Sequence, residues 1–590
     1  MRRQLNPVTA CLVVLSCENV ESGCVMTDSG NAVTPPVGGA LSDIAKKISE
    51  TRFTLQTDDA ADGRRLLGSL SSEMGDFILP RINRAPAPFL IAVGGSTGAG
   101  KSTLVNSLIG RTVSPAGVRR PTTANPIVIH NPADAKHFET ATFLGDLPRS
   151  SDPETTSPAL VLIPDADIAP GTAVLDCPDI DSIAESNRDL ARRILMCADL
   201  WLFVTTANRY ADAAPWALLR EAAARSTSVA LVLDRVPPEA NREVRHHLSH
   251  LLSEAGLAQS PIFSVAELPL EDGRLPHAAV YPIQSWIREV SAESESRGRI
   301  RRRTLSGAIA SLPGRVDALA EAAQSQEDAH AHLERIVDER FRSAHESLAT
   351  VVTDGRILHG AVNARWQDFV GTGQLFRGLE PTMARMRDRI SAAVTGKHDA
   401  AAPLHIAILR SAAITLREAA VDVVDVVADD WRRTPAGEAL VTSEPALREP
   451  TSELEDRVKA AVSGWSNDVN ALVRDIGQGK KSKARILSFG VSGVCAVLEY
   501  ATFWDPAHTS SNDSASRSGA GVALSLAGTI FGEQEAVDII GSIRDRFLTA
   551  AAGIIGDCRT PFDQALRLTA VPTRQSGALR TAGARLEEAL

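Results

Sequence analysis

The sequence predicts a mostly parallel α/β domain with helices on both faces of its sheet, followed by a long all-helical bundle or stalk. Two observations predict it. First, short apolar runs alternate with amphipathic stretches between residues 89 and 290. The runs are 89–93, 126–129, 159–163, 173–175, 200–204, 229–233 and 262–265; amphipathic stretches include 188–196, 214–224 and 242–252. Such alternation implies parallel strands joined by covering helices. Second, the strand signal stops after about residue 290, and apolar residues then recur at helical spacing over 303–353, 376–396, 404–432 and 451–476. Aromatic residues make up only 4% of the chain, which favours helices over an all-β architecture.

Taken in order, residues 1–40 read as a disordered leader. Met1, Arg2 and Arg3 before the apolar run at 10–17 faintly resemble an export signal, but that run is short and Pro7 interrupts its approach. The plainer reading is an unstructured start, or initiation at Met26, with a flexible lead-in over 27–40. Residues 41–88 carry Leu41, Ile44, Ile48, Leu66, Leu67 and Leu70 at helical spacing and end in prolines. The α/β domain spans 89–290 and the helical region 291–479, with a loop expected at 433–450, where Pro435, Pro445 and Pro450 fall.

Residues 480–532 form an apolar hairpin with a basic flank. Lys480, Lys481, Lys483 and Arg485 lead into a mostly apolar run at 486–504 that ends in Tyr500, Phe503 and Trp504. A polar connector at 505–517 precedes a second apolar stretch at 519–531. About 20 apolar residues span a bilayer, and basic and aromatic flanks suit its headgroups. Glu499 argues against a plain span. Two readings stay open: a paddle dipping into an anionic membrane at 480–504, or a hairpin buried in the bundle. Residues 533–590 return to amphipathic helix.

At 590 residues the chain holds several domains. Its net charge of −10 does not suggest bulk nucleic-acid affinity. Seven cysteines without a C-x-x-C pair or metal spacing suit a reducing, cytoplasmic setting.

The chemistry is written at Gly95, Ser96, Thr97, Gly98, Ala99, Gly100, Lys101 and Ser102, a match to G-x-x-x-x-G-K-[ST]. A strand signal precedes it, and an apolar helical pattern opens at Thr103. Such a turn aims successive backbone N–H groups at one point, beside the positive end of a helix. Lys101 would reach the β- and γ-phosphates and Ser102 would ligate Mg2+. A switching hydrolase also needs a hydroxyl from a mobile loop and an acid at a strand end. Thr123, with Thr122 as the alternative, supplies the first, after Arg119 and Arg120. Asp176 supplies the second, with Asp179 three residues on. A guanine site wants Asn/Thr-Lys-x-Asp after a later strand. Asp234 and Arg235 stand in that place, and Pro237 replaces the final acid.

Phosphate loop, Thr-x-x-Pro, Asp-x-Pro and a degenerate base motif before a long helical region resemble a bacterial dynamin-family P-loop GTPase. Within that group the chain is similar to actinobacterial dynamin-domain proteins over about residues 89–270. The resemblance implies a GTP-hydrolysing head with Mg2+, a helical stalk, self-association and membrane remodelling at the inner face of the cell membrane. By position, Gly95 to Thr103 bind phosphate, Ser102, Thr123 and Asp176 hold the metal, and Asp234 and Arg235 lie near the base. Dynamins carry Gln-Ser where Thr97 and Gly98 stand, so Thr97 joins Lys101 and Thr123 as a catalytic candidate. The alternative class is a cytosolic nucleotide-gated scaffold, using GTP or ATP slowly and holding a protein partner. An ATP-driven transporter subunit would need a Leu-Ser-Gly-Gly-Gln-type segment, absent between Ser102 and Asp176.

Overall fold

The computed structural model describes residues 35–83, 87–115, 125–140, 143–155, 157–182, 185–292, 294–370, 398–449, 452–476, 490–505 and 514–590. They form two units. One holds the described residues of Met1–Ser49, Gly68–Asp317 and Leu579–Leu590; the other holds those of Glu50–Leu67 and Ala318–Ala578.

The first unit is built on an eight-stranded sheet. Its strands are β1 (Phe89–Gly95), β2 (Ile127–His130), β3 (Arg149–Ser150), β4 (Leu160–Pro164), β5 (Thr172–Asp176), β6 (Leu200–Thr206), β7 (Ser228–Val236) and β8 (Ile262–Ala266). The order is β3-β4-β2-β5-β1-β6-β7-β8. Every neighbouring pair is parallel except β2 with β5, which is antiparallel. Helices α1 (Pro35–Glu50), α2 (Ala60–Ser72), α3 (Leu79–Asn83), α4 (Lys101–Ile109), α5 (Ala135–Glu139), α6 (Glu185–Cys197), α7 (Ala213–Ala224), α8 (Asn241–Glu254), α9 (His277–Ala292) and α10 (Ser294–Thr353) follow the chain, α10 carrying it into the second unit.

Strand β1 shows why the sheet lies inside. All seven of its residues are buried. Phe89, Ile91 and Val93 face a core with Leu104 and Val105 of α4 and Val280 and Ile283 of α9. Leu90 and Ala92 face the opposite core, with Ile194 and Leu195 of α6, Leu219 of α7 and Leu248 of α8. Side chains alternate across a strand, so one apolar run feeds two cores. The sheet therefore carries helices on both faces, as the alternating pattern predicts.

The second unit is helical around one continuous core. Besides the rest of α10 it contains α11 (Ala361–Val370) and helices His398–Arg432, Pro435–Ser443, Leu454–Ile476, Val491–Thr502, Ser514–Phe531 and Glu533–Leu568. The helix expected at 376–396 lies outside the described residues, as do Lys480, Lys481, Lys483, Arg485 and 486–489.

Three expectations are corrected. The 433–450 stretch holds a helix, Pro435–Ser443, because Pro435 starts it instead of breaking it. The Thr434 hydroxyl caps that helix, accepting the Gly437 N–H at 3.1 Å. The lead-in at 27–40 is cut short by α1, which opens on Pro35 for the same reason. The connector at 505–517 is likewise entered by helix Ser514–Phe531.

The apolar hairpin takes the second of its two readings where it is described. Every residue from Gly493 to Thr502 is buried. Val494, Leu498, Tyr500 and Phe503 join the bundle core with Leu404, Ile408, Trp465 and Phe547. Tyr500 stacks on Trp366 at 4.1 Å between ring centroids. Among the described residues, no helix is long and apolar enough to cross a membrane.

Candidate functional site at the phosphate loop

Strand β1 runs directly into the phosphate loop, and the loop into α4. Gly95 has φ +152° and Gly100 has φ +94°. A Cβ on Gly95 would overlap the Val204 carbonyl of β6, and one on Gly100 would lie 2.5 Å from Asp234 Oδ2. The turn can therefore be made only with glycine at both points. The Leu104 N–H closes the first turn of α4 on the Gly100 carbonyl at 2.8 Å.

Lys101 folds back over the loop. Its ammonium donates to the Ser96 carbonyl at 3.0 Å and forms an ion pair with Asp179. Both side chains are nearly closed to solvent, at 4% and 9% exposure. Ser102 Oγ donates to Asp176 Oδ2 at 2.8 Å, so the helix start and the end of β5 meet. Burial pushes the Asp176 carboxyl above its ordinary value, against the hydrogen bond from Ser114 and the nearby Lys101 charge. Three buried polar atoms at the loop have no protein partner: Ser96 Oγ, Asp176 Oδ1 and Asp234 Oδ1. Buried polar atoms are normally paired, so these mark where a polar ligand belongs.

The structure brings together Lys101, Ser102, Asp176, Asp234 and Arg235. The Arg235 guanidinium donates to the Gly98 carbonyl, tying the end of β7 to the loop. Thr122, Thr123, Arg119 and Arg120 lie outside the described residues.

Four residues that contact the candidate site escaped the motif reading. Ser114 Oγ donates to Asp176 Oδ2 at 2.6 Å, and Asn106 on α4 holds the Ser114 turn through both of its amide atoms. Asp181, after β5, accepts the Thr97 N–H at 2.6 Å and the Thr97 hydroxyl at 2.7 Å. Arg209, after β6, donates to Asp181 at 2.7 Å and to the Thr97 carbonyl at 3.0 Å. Burial works to raise the Asp181 carboxyl, but the Thr97 hydrogen bonds and Arg209 outweigh it and hold it below its usual value. A polar side chain two residues beyond Asp179 was the available signal for Asp181; nothing in sequence marks Arg209.

A mostly parallel sheet with a Gly-rich loop between β1 and α4, and an acid closing the adjacent β5, is the fold of a P-loop nucleoside triphosphatase domain. Residues 91–145 match the model of the dynamin family. Over that segment the chain is similar to dynamin-family P-loop GTPases. No curated protein matches the chain. Among solved structures, a chain of an oligomerised bacterial dynamin pair, connected with long-range sensing and tethering of membranes, aligns over 94% of this chain and 95% of that one at 10% identity and a TM-score of 0.34. LeoA, a bacterial dynamin GTPase from ETEC, aligns over 94% of this chain and 97% of that one at 12% identity and a TM-score of 0.24.

Proposed function

We propose that the chain is a dynamin-like GTPase whose head hydrolyses GTP and whose helical region couples turnover to self-association at a membrane. The observation that carries this reading is the convergence of Lys101, Ser102 and Asp176 on a glycine-dependent phosphate loop within a segment matching the dynamin family. Hydrolysis of a bound triphosphate by in-line attack of water is mostly a matter of positioning and charge neutralisation. The loop's N–H groups and the N-terminus of α4 would hold the phosphates, and Lys101 would turn from Asp179 to the β- and γ-phosphates. Among the described residues no cluster of three or more His, Cys, Asp or Glu could hold a metal. Ser102 with the unpartnered Asp176 Oδ1 offers oxygen donors that fit a hard cation; Thr123, outside the described residues, is the sequence candidate for a further donor. Mg2+ held there would neutralise charge on the β- and γ-phosphate oxygens. Thr97 is the candidate for orienting the attacking water, once released from Asp181.

The experiment is GTP and ATP hydrolysis by the full chain beside Lys101→Ala, with and without anionic liposomes. Lys101→Ala is expected to abolish turnover and weaken nucleotide binding; unchanged turnover sinks the site. A second reading, a slow nucleotide-gated scaffold, is favoured by Asp179 and Asp181 engaging Lys101 and Thr97. Slow turnover indifferent to lipid would select it.

Membrane contact rests on the basic run at 480–485, since the apolar helix beyond it is buried. Basic residues near an anionic surface contribute about 1 kcal/mol each. Changing Lys480, Lys481, Lys483 and Arg485 to glutamine is therefore expected to weaken binding to phosphatidylserine vesicles, most at low salt. Equal binding in co-sedimentation would remove this surface from the proposal.

A further inference from the structure

The end of β7 lacks the acid that a guanine site needs, and a second strand supplies one beside the gap. Guanine presents two adjacent donors, N1–H and the 2-amino group, which one carboxylate accepts together. Adenine presents an acceptor at N1, which a carboxylate repels. Pro237 offers no carboxylate. Asp234 lies at the phosphate loop instead: it is buried, a Cβ on Gly100 would fall 2.5 Å from its Oδ2, and burial pushes its carboxyl up.

Strands β7 and β8 run parallel, with Leu233 beside Ser264 and, after a register shift, Val236 beside Ala266. The next residues, Pro237 and Glu267, therefore leave the sheet side by side at the edge that carries the phosphate loop. Glu267 is exposed. It also lies near enough to Asp234 for its charge to add to the upward push on that carboxyl. Arg235, held on the Gly98 carbonyl with φ +53°, places a flat cation beside the same opening. A planar guanidinium stacks on a base face.

We propose that Glu267 reads the guanine edge of the bound nucleotide, replacing from β8 the acid missing at Pro237. This rests on the GTPase reading above and names the residue that makes it a guanine site. Glu267→Gln leaves one acceptor for N1–H but turns a donor toward the 2-position. Xanthine carries an oxygen there instead of an amino group, so the variant should prefer xanthosine triphosphate.

The test is competition binding of GTP, XTP and ATP to the full chain as wild type, Glu267→Gln, Glu267→Ala and Lys101→Ala. Glu267→Gln is expected to lose GTP affinity by about 10- to 100-fold, the range for hydrogen bonds to a charged group. It should gain XTP affinity and leave ATP unchanged. Glu267→Ala should lose GTP without gaining XTP. Equal losses for all three nucleotides, or an unaltered GTP-to-XTP ratio in Glu267→Gln, overturn the assignment. If the wild type prefers GTP while Glu267→Gln is unaltered, only this assignment fails. If the wild type binds GTP and ATP alike but Lys101→Ala abolishes both, the guanine reading falls with it and the phosphate site stands.

Discussion

Replacing Asp179 with asparagine raises the affinity of the full chain for GTP about tenfold or more, and lowers the melting temperature of the protein without nucleotide. Both effects come from one ion pair. The Lys101 ammonium is buried against the Asp179 carboxylate, and a triphosphate needs the same ammonium. Removing one member of a buried pair leaves an uncompensated charge, at a cost of about 3–5 kcal/mol. In Asp179→Asn that cost falls on the nucleotide-free protein, and the incoming phosphate relieves it. Each tenfold in affinity is about 1.4 kcal/mol, so even a third of the cost is measurable.

The check is a thermal melt with and without GTP, beside a binding titration. The variant should start lower and gain more on adding nucleotide, because a ligand stabilises by mass action on the native state. A titration in which GTP affinity falls or stays level would show that Asp179 leaves Lys101 at no cost. Asp181 offers a graded comparison. It holds Thr97 rather than the lysine, and Arg209 stays to pair with it when Thr97 turns away. Its loss should therefore change affinity less than loss of Asp179.

The contrast between these two acids shows what the sequence discloses. The phosphate loop was legible because its spacing is imposed by close approach of backbone to phosphate. The seven longer strands were legible as short apolar runs, unbroken where a strand is buried on both faces, as at 89–93. Direction was not: nothing in Ile127–His130 marks it as antiparallel to β5, since its residues are buried either way. Contacts between distant residues were not legible either. Arg209 reaches Asp181 across the mouth of the sheet, and Ser114 reaches Asp176 through a turn that Asn106 holds. Prolines misled at 433–450, because the same residue that ends one helix opens the next when a threonine caps it. The run at 486–504 was ambiguous in a deeper sense. Lipid and a protein core select the same apolar side chains. Only Glu499 carried information, and its meaning depended on partners on other helices.

Those partners give the second large effect. Glu499 has no solvent exposure, and its carboxylate accepts from Ser466 Oγ at 2.8 Å and meets His405 Nδ1 at 2.7 Å. Three helices, His398–Arg432, Leu454–Ile476 and Val491–Thr502, are thus joined at one buried carboxylate. Glu499→Ala leaves the buried Ser466 hydroxyl unsatisfied and takes the partner from the part-exposed His405, and is expected to cost about 1–3 kcal/mol of stability. Glu499→Gln keeps the volume and the Ser466 bond but loses the charge opposite His405. The hydrogen bond from His405 to Glu499 raises the His405 pKa above its ordinary 6.5, against burial. A raised histidine contributes stability that is fully present below its unfolded value and is lost as pH rises through the folded one. The melting gap between wild type and Glu499→Gln should therefore be widest below about pH 6.5 and shrink at higher pH. Cys495 does not blur the comparison, since burial and the Glu499 charge push its thiol up to about 12. A gap that stays constant from pH 5.5 to 8.5 would mean that His405 does not change its charge in the bundle over that range. An unaltered melt in Glu499→Ala would mean that the carboxylate does not hold these three helices together.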